Sequence, residues 1–182
     1  MPALALVGLS GVGKSTLLAS SQDKSQFLHV QASELIKLEQ AARGAEIASS
    51  EALRLGPVID NQRLLVAGFR RATRGETRPI VFDGHTIIDG SSGIIEIGSD
   101  VFGDLGVKHV VMLVADPEEI LRRRASDTGR TRPMRSIEQI AAHQDRATEV
   151  AKQIADDLKV EFGLVTQSEP ERIWHAIESL RT

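Results

Sequence analysis

Five short apolar runs, Ala3–Val7, Phe27–Val30, Pro79–Phe82, His109–Val114 and Val160–Val165, are separated by longer stretches of helical periodicity. No other feature restricts the fold so strongly. Each run is short and rich in β-formers, and strands alternating with helices build βαβ units. The expectation is an α/β fold: a mostly parallel sheet with helices on both faces, in three α/β/α layers. With 182 residues, the chain is expected to form a single domain, 1–182, with a sizeable core.

The helices announce their own ends. Asp116-Pro117-Glu118-Glu119 offers an N-cap, a proline at the first helical position and a carboxylate three residues after the cap. Ser136-Ile137-Glu138-Gln139 has the form of a capping box. It opens a long helix whose apolar stripe is Ile137, Ile140, Ala141, Ala147, Ala151, Ile154 and Leu158. Pro170 opens another, with Ile173, Ile177 and Leu180 on one face and Trp174 at its flank in a packing role. Residues 31–75 read as helices interrupted by Gly44 and by Gly56-Pro57. Inserted after the second strand, this region is expected beside the carboxyl ends of the strands, where open α/β sheets bind ligands.

The chemistry begins where the first strand ends. Gly8-Leu9-Ser10-Gly11-Val12-Gly13-Lys14-Ser15 fits G-x-x-x-x-G-K-[ST], with a strand before it and a helical Thr16-Leu17-Leu18-Ala19 after it. Glycines let successive N–H groups turn toward phosphate oxygens, and the following helix presents its positive end. The expected nucleotide-binding residues are Gly8, Ser10, Gly11, Val12, Gly13, Lys14, Ser15 and Thr16. Lys14 is expected to neutralise the β- and γ-phosphates, and the Ser15 hydroxyl to ligate Mg²⁺. Asp83, at the end of the third run, supplies a second Mg²⁺ ligand, direct or through water. His85, two residues on, is either a group that orients water or phosphate, or a hydrogen-bonded loop histidine.

Six arginines, Arg122, Arg123, Arg124, Arg130, Arg132 and Arg135, follow the fourth run within 122–135. Arginine forks grip phosphate oxygens and keep their charge in a closed site, so this segment reads as a short closing lid. Consecutive arginines on a helix fan out over about 200°, so of Arg122, Arg123 and Arg124 one is expected at the site. Arg123, Arg130 and Arg132 are the expected catalytic arginines, with Asp127 placed to pair with Arg123. Arg122 and Arg135 are expected to be solvated.

Composition excludes several other classes. The chain has no cysteine, hence neither disulfides nor thiolate metal sites. A net charge of −3 gives no reason to expect nonspecific binding to nucleic acid or membranes, and one Trp without any Tyr makes a poor base-stacking surface. No apolar run approaches the roughly 20 residues of a membrane span. No charged segment precedes the first run, so a cytoplasmic location is expected. The implied partners are nucleotide substrates; protein partners are not specified.

Taken together, "GLSGVGKST", "VFDGHTII" and "ADPEEILRRRASDTGRTR" resemble the adenylate-kinase-like nucleotide kinases, most of all the short-lid archaeal-type adenylate kinases and their eukaryotic nuclear relatives. The similarity runs from Ala3 to about Leu180. It implies a five-stranded parallel sheet of order 2-3-1-4-5, Mg·ATP as donor, and a nucleoside monophosphate held under the 31–75 insertion. Carried over by position, it assigns Lys14 and Ser15 to the phosphate loop and Asp83 and His85 to the Asp-x-His pair. Arg123, Arg130 and Arg132 fall on the lid arginines. Ser33-Glu34 stands where these kinases usually have Gly-Asp, and Arg54 falls near the arginine that holds the acceptor phosphate. The chain departs from the pattern at Ser33-Glu34 and after His85, where "TIIDGSSGIIEIGSDVFGDLG" lacks the family's Gly-Leu-Pro loop. Both departures are on the acceptor side. The expected activity is phosphoryl transfer from ATP to a nucleoside monophosphate; the alternatives are a P-loop ATPase or nucleotide-dependent switch, or a kinase of another small molecule.

Overall fold

Strand β1 (Ala3–Val7) is buried along its whole length, which makes it the centre of the sheet. It is seen in a computed structural model that describes residues 2–21, 26–55, 58–90, 93–127 and 133–181. On one side β1 pairs in parallel with β3 (Ile80–Gly84), and β3 with β2 (Leu28–Gln31). On the other it pairs with β6 (Val107–Leu113), and β6 with β7 (Glu161–Val165). The order is β2-β3-β1-β6-β7. It matches the expected 2-3-1-4-5 once the sheet strands are numbered by themselves; the labels differ because a hairpin intervenes.

That hairpin is new. Strands β4 (Ile87–Gly90) and β5 (Gly93–Glu96) pair antiparallel outside the main sheet and lead into α5 (Ser99–Asp104). The sequence reading assigned no element here, because four-residue strands of mixed burial carry little periodicity. Tertiary contacts supply the missing order. Ile87 is buried, and the buried Thr86 hydroxyl donates to the Ala147 carbonyl at 2.9 Å.

The long helix α7 (Ile137–Leu158) has both halves of its capping box: Gln139 N donates to Ser136 Oγ, and Ser136 N to Gln139 Oε1. Its core face includes Ile140, Ala147, Ala151 and Ile154 as expected, joined by Val150 and Ala155, whereas Ile137 is exposed. A stripe written from the first turn overshoots because the helix starts beyond the edge of the core. α6 (Pro117–Ser126) opens on the predicted cap, with Asp116 Oδ1 accepting from Glu118 N at 2.8 Å. In α8 (Pro170–Ser179), Ile173 and Ile177 are buried and Trp174 stacks on Phe27.

The 31–75 region forms α2 (Ala32–Ala42), α3 (Ser50–Leu55) and α4 (Val58–Ala72). Gly56-Pro57, the second expected break, lies outside the described residues. α2 and α4 come together at Gly68, where an added Cβ would sit 2.1 Å from the Leu35 carbonyl oxygen. The buried Glu39 carboxylate joins the two helices, accepting from Arg43 at 2.7 Å and Arg71 at 2.9 Å.

Candidate active site

Parallel pairing decides which residues meet. Leu6 is in register with Asp83 and Val7 with Gly84, so the turn that follows β1 opens beside the end of β3. Residues 8–13 form that turn and deliver the chain into α1 (Lys14–Ala19), with Gly13 as its N-cap at φ 103. A side chain at Gly13 is strained by the positive φ, and an added Cβ, 1.8 Å from the Gln167 amide nitrogen, would push that amide aside.

On the β3 side of the loop, Lys14 Nζ donates to the Gly8 carbonyl at 3.0 Å and lies 3.6 Å from Asp83 Oδ1. His85 Nδ1 reaches the same carbonyl at 2.6 Å. A carbonyl oxygen only accepts, so this ring nitrogen carries the proton. Asp83 is almost wholly buried, and its second oxygen, Oδ2, is 3.6 Å from His29 Nε2 on β2. Burial pushes the Asp83 carboxyl up, but the His29 contact and the charges of Lys14, His85 and His29 together hold it below the ordinary carboxylate value. Ser15 and Thr16 are exposed at the start of α1. The Ser15 hydroxyl and the Asp83 carboxylate are hard oxygen donors, the chemistry Mg²⁺ takes. Among the described residues no group of three or more His, Cys, Asp or Glu could hold a metal by itself.

On the other side of the loop, two arginines arrive from α6, not one. Arg123 Nη1 donates to the Val12 carbonyl at 2.7 Å, and Arg124 Nε to the Ser10 carbonyl at 2.8 Å. The helix approaches the loop closely enough for neighbouring side chains to straddle it. Arg122 faces solvent as expected, 3.7 Å from Glu119. Arg135 does not. It follows α6 in a loop and makes a two-pronged pair with Asp89 on β4, at 3.2 and 2.8 Å, because the unforeseen hairpin brings a carboxylate to it. Glu119, one turn earlier on α6, meets Arg123, and Gln167 Oε1 accepts from Arg123 Nη2 at 2.6 Å. Arg130 and Arg132 lie outside the described residues.

Of the residues expected on the acceptor side, Ser33 and Glu34 follow the carboxyl end of β2, where Gln31 is in register with Asp83. Ser33 is half-buried in the first turn of α2. Glu34 is exposed and pairs with Lys37 at 2.9 Å. Arg54 belongs to α3, its side chain outside the described residues. Sequence reasoning missed His29, Arg124 and Gln167. His29 interrupts an apolar strand and Gln167 follows the carboxyl end of β7, and neither has a local pattern that singles it out.

A loop of backbone amides at a helix start, with a lysine folded back over it and a buried carboxylate beside it, is built to take a nucleotide's phosphates, and with the five-stranded sheet it defines the chain as a P-loop protein. A family model described as an AAA domain matches residues 7–141. An adenylate kinase of Thermococcus onnurineus is 28% identical over 185 residues, covering 99% of this chain and 94% of its own. One from Thermococcus kodakarensis is 31% identical over 151 residues, covering 80% and 77%. The chain belongs to this adenylate-kinase-like family of P-loop proteins. Among solved structures, shikimate kinase from Bacteroides thetaiotaomicron is similar with a TM-score of 0.56 and 15% identity, over 97% of this chain and 98% of that one. At that identity the likeness concerns the fold alone. No helix among the described residues is long and apolar enough to cross a membrane.

Proposed function

We propose that the protein is an ATP-dependent nucleoside monophosphate kinase. The observation that carries this reading is the state of Asp83. One oxygen faces Lys14 and the other His29, each at 3.6 Å, and the carboxylate is almost wholly buried. A carboxylate held between two such groups is a poor proton acceptor, so it suits an acceptor that needs no base. A phosphate oxygen is already nucleophilic; a sugar or cyclohexene hydroxyl is not. The relatives cited above, both named adenylate kinases, support the same choice.

In this reading the amides of residues 8–16 cradle the donor phosphates and Lys14 leaves the Gly8 carbonyl for the β- and γ-oxygens. An oxygen of the acceptor phosphate bonds to the γ-phosphorus as the bond from that phosphorus to the β–γ bridging oxygen breaks. The departing electron pair stays on the β-phosphate, beside Lys14 and the α1 N-terminus. Ser15 and Asp83 would hold Mg²⁺, which supplies charge neutralisation between donor oxygens when bound. The acceptor binds at the 31–75 insertion near Ser33, Glu34 and Arg54. The 122–135 segment acts as the lid, with Arg130 and Arg132 spreading charge off the transferring group. Arg123 contributes from behind the loop.

A coupled assay with Mg·ATP and a panel of nucleoside monophosphates tests this. ADP should form only when a monophosphate is present, and Lys14→Ala should abolish turnover. ADP formation at the same rate without any acceptor would overturn the kinase reading in favour of an ATPase.

A further inference from the structure

We infer that Gln167 is a positioning residue for the donor nucleotide: it holds the phosphate-loop peptides from behind so that their amides face the phosphates. Gln167 follows β7 and has no place in the loop motif. Its Nε2 donates to the carbonyls of Val12 and Gly13 at 3.2 and 3.3 Å. Its Oε1 accepts from Arg123 Nη2 at 2.6 Å, while Arg123 Nη1 also donates to the Val12 carbonyl at 2.7 Å. The Val12 oxygen therefore takes two side-chain donors, filling both its lone pairs.

The consequence comes from peptide geometry. A trans peptide is planar, so its C=O and N–H point in opposite directions. Fixing the Val12 carbonyl outward turns the Gly13 N–H inward; fixing the Gly13 carbonyl does the same for the Lys14 N–H. These two amides belong to the cradle. The Gly13 carbonyl also accepts from Leu17 N at 3.0 Å, the first bond of α1, so the Gln167 brace bears most on the Val12–Gly13 peptide. The Gln167 amide lies so close to the Gly13 α-carbon that any Cβ would displace it. Glu119 completes the brace by accepting from Arg123 Nη2, the nitrogen that also donates to Gln167. Donor binding is thus preorganised by a side chain 155 residues from Val12 in sequence.

The inference rests on reading residues 8–16 as a nucleotide site, and wild-type binding of ADP tests that reading separately. The experiment measures ADP affinity by calorimetry for wild type, Gln167→Ala and Gln167→Glu, with KM for donor and acceptor and the melting temperature without nucleotide. Two hydrogen bonds to carbonyls are at stake, so Gln167→Ala should raise the ADP dissociation constant about tenfold. Donor KM should rise in parallel with acceptor KM unchanged, and nucleotide-free melting should fall by a few degrees at most, since the same bonds are present without nucleotide. Gln167→Glu should weaken ADP at least as much, since a carboxylate still accepts from Arg123 but has no N–H for the carbonyls. Wild-type ADP affinity in Gln167→Glu overturns the proposal, and so does an equal rise in donor and acceptor KM in Gln167→Ala. In a double-mutant cycle with Arg123→Ala the two losses should be less than additive; full additivity counts against a shared brace.

Discussion

The carbonyl oxygen of Gly8 takes hydrogen bonds from Lys14 at 3.0 Å and His85 at 2.6 Å. The two donors have different futures when nucleotide arrives. Lys14 carries the full charge that phosphate oxygens attract, so it is the one to leave. His85 keeps the carbonyl and with it the mouth of the loop. Removing His85 therefore loosens the donor site rather than the acceptor site. His85→Ala should raise donor KM about threefold to tenfold, the size of one hydrogen bond, and leave acceptor KM unchanged in steady-state kinetics. His85 and Lys14 were legible in the sequence because the strand-end Asp-x-His and the glycine loop are local patterns. His29 and Gln167 were not, because a lone polar residue in a strand or after one has no pattern until parallel pairing shows what it faces. The three consecutive arginines make the same point: helical geometry predicts their spread, but only the approach of α6 decides that both Arg123 and Arg124 meet the loop.

Among the elements, α2 and α4 are the pair that would carry the proposed acceptor side, and their contact depends on Gly68. A glycine inside a helix normally costs about 1 kcal/mol relative to alanine, so Gly68→Ala would be stabilising on an isolated α4. Here the new Cβ would lie 2.1 Å from the Leu35 carbonyl oxygen, which is backbone and cannot rotate away. Overpacking of that kind costs about 1–3 kcal/mol, and it wins. Gly68→Ala should lower the melting temperature and raise acceptor KM, since Leu35 directly follows Ser33-Glu34. A rise in melting temperature would count against the close packing.

The entrance to β3 offers a second test at this scale. Glu76 accepts from Arg78 Nε at 3.0 Å and Nη2 at 2.6 Å, and from the backbone N–H groups of Arg78 and Thr77. The Arg78 side-chain bonds, then its backbone bond, hold the carboxyl down from 4.5 to about 2. A carboxyl depressed by folding contributes stability that is complete above its unfolded value and is lost as pH falls through its folded value. Thermal melts should therefore weaken between pH 4.5 and 2 in wild type, and Glu76→Gln should reduce that dependence.

At the scale of the whole molecule, the groups of the candidate donor site collect at the carboxyl ends of the parallel strands: the loop after β1, Asp83 on β3, α6 after β6, Gln167 after β7. Ligand binding there should stabilise the entire domain by mass action. A non-hydrolysable ATP analogue at a hundredfold excess over its dissociation constant should add about 2.7 kcal/mol, roughly 5–10 °C for a chain this size. The matching monophosphate should add a further rise, and screening monophosphates this way identifies the acceptor. Absence of any shift with the analogue would contradict the nucleotide site itself.

What the sequence determined by itself is what short-range physics encodes. Strand placement follows from runs of buried β-formers, helix starts from Asp116-Pro117 and Ser136-Gln139, and the phosphate cradle from glycines between a strand and a helix. Such features depend on residues a few positions apart, so they survive without any knowledge of the fold. Tertiary structure alone decided the rest. The hairpin β4–β5 takes its order from α7, Arg135 finds Asp89 across 46 positions, and Gln167 reaches Val12 across 155. Those contacts exist only after the sheet has aligned its strand ends, because the hydrogen bonds that make them join side chains to groups the chain brings near by folding.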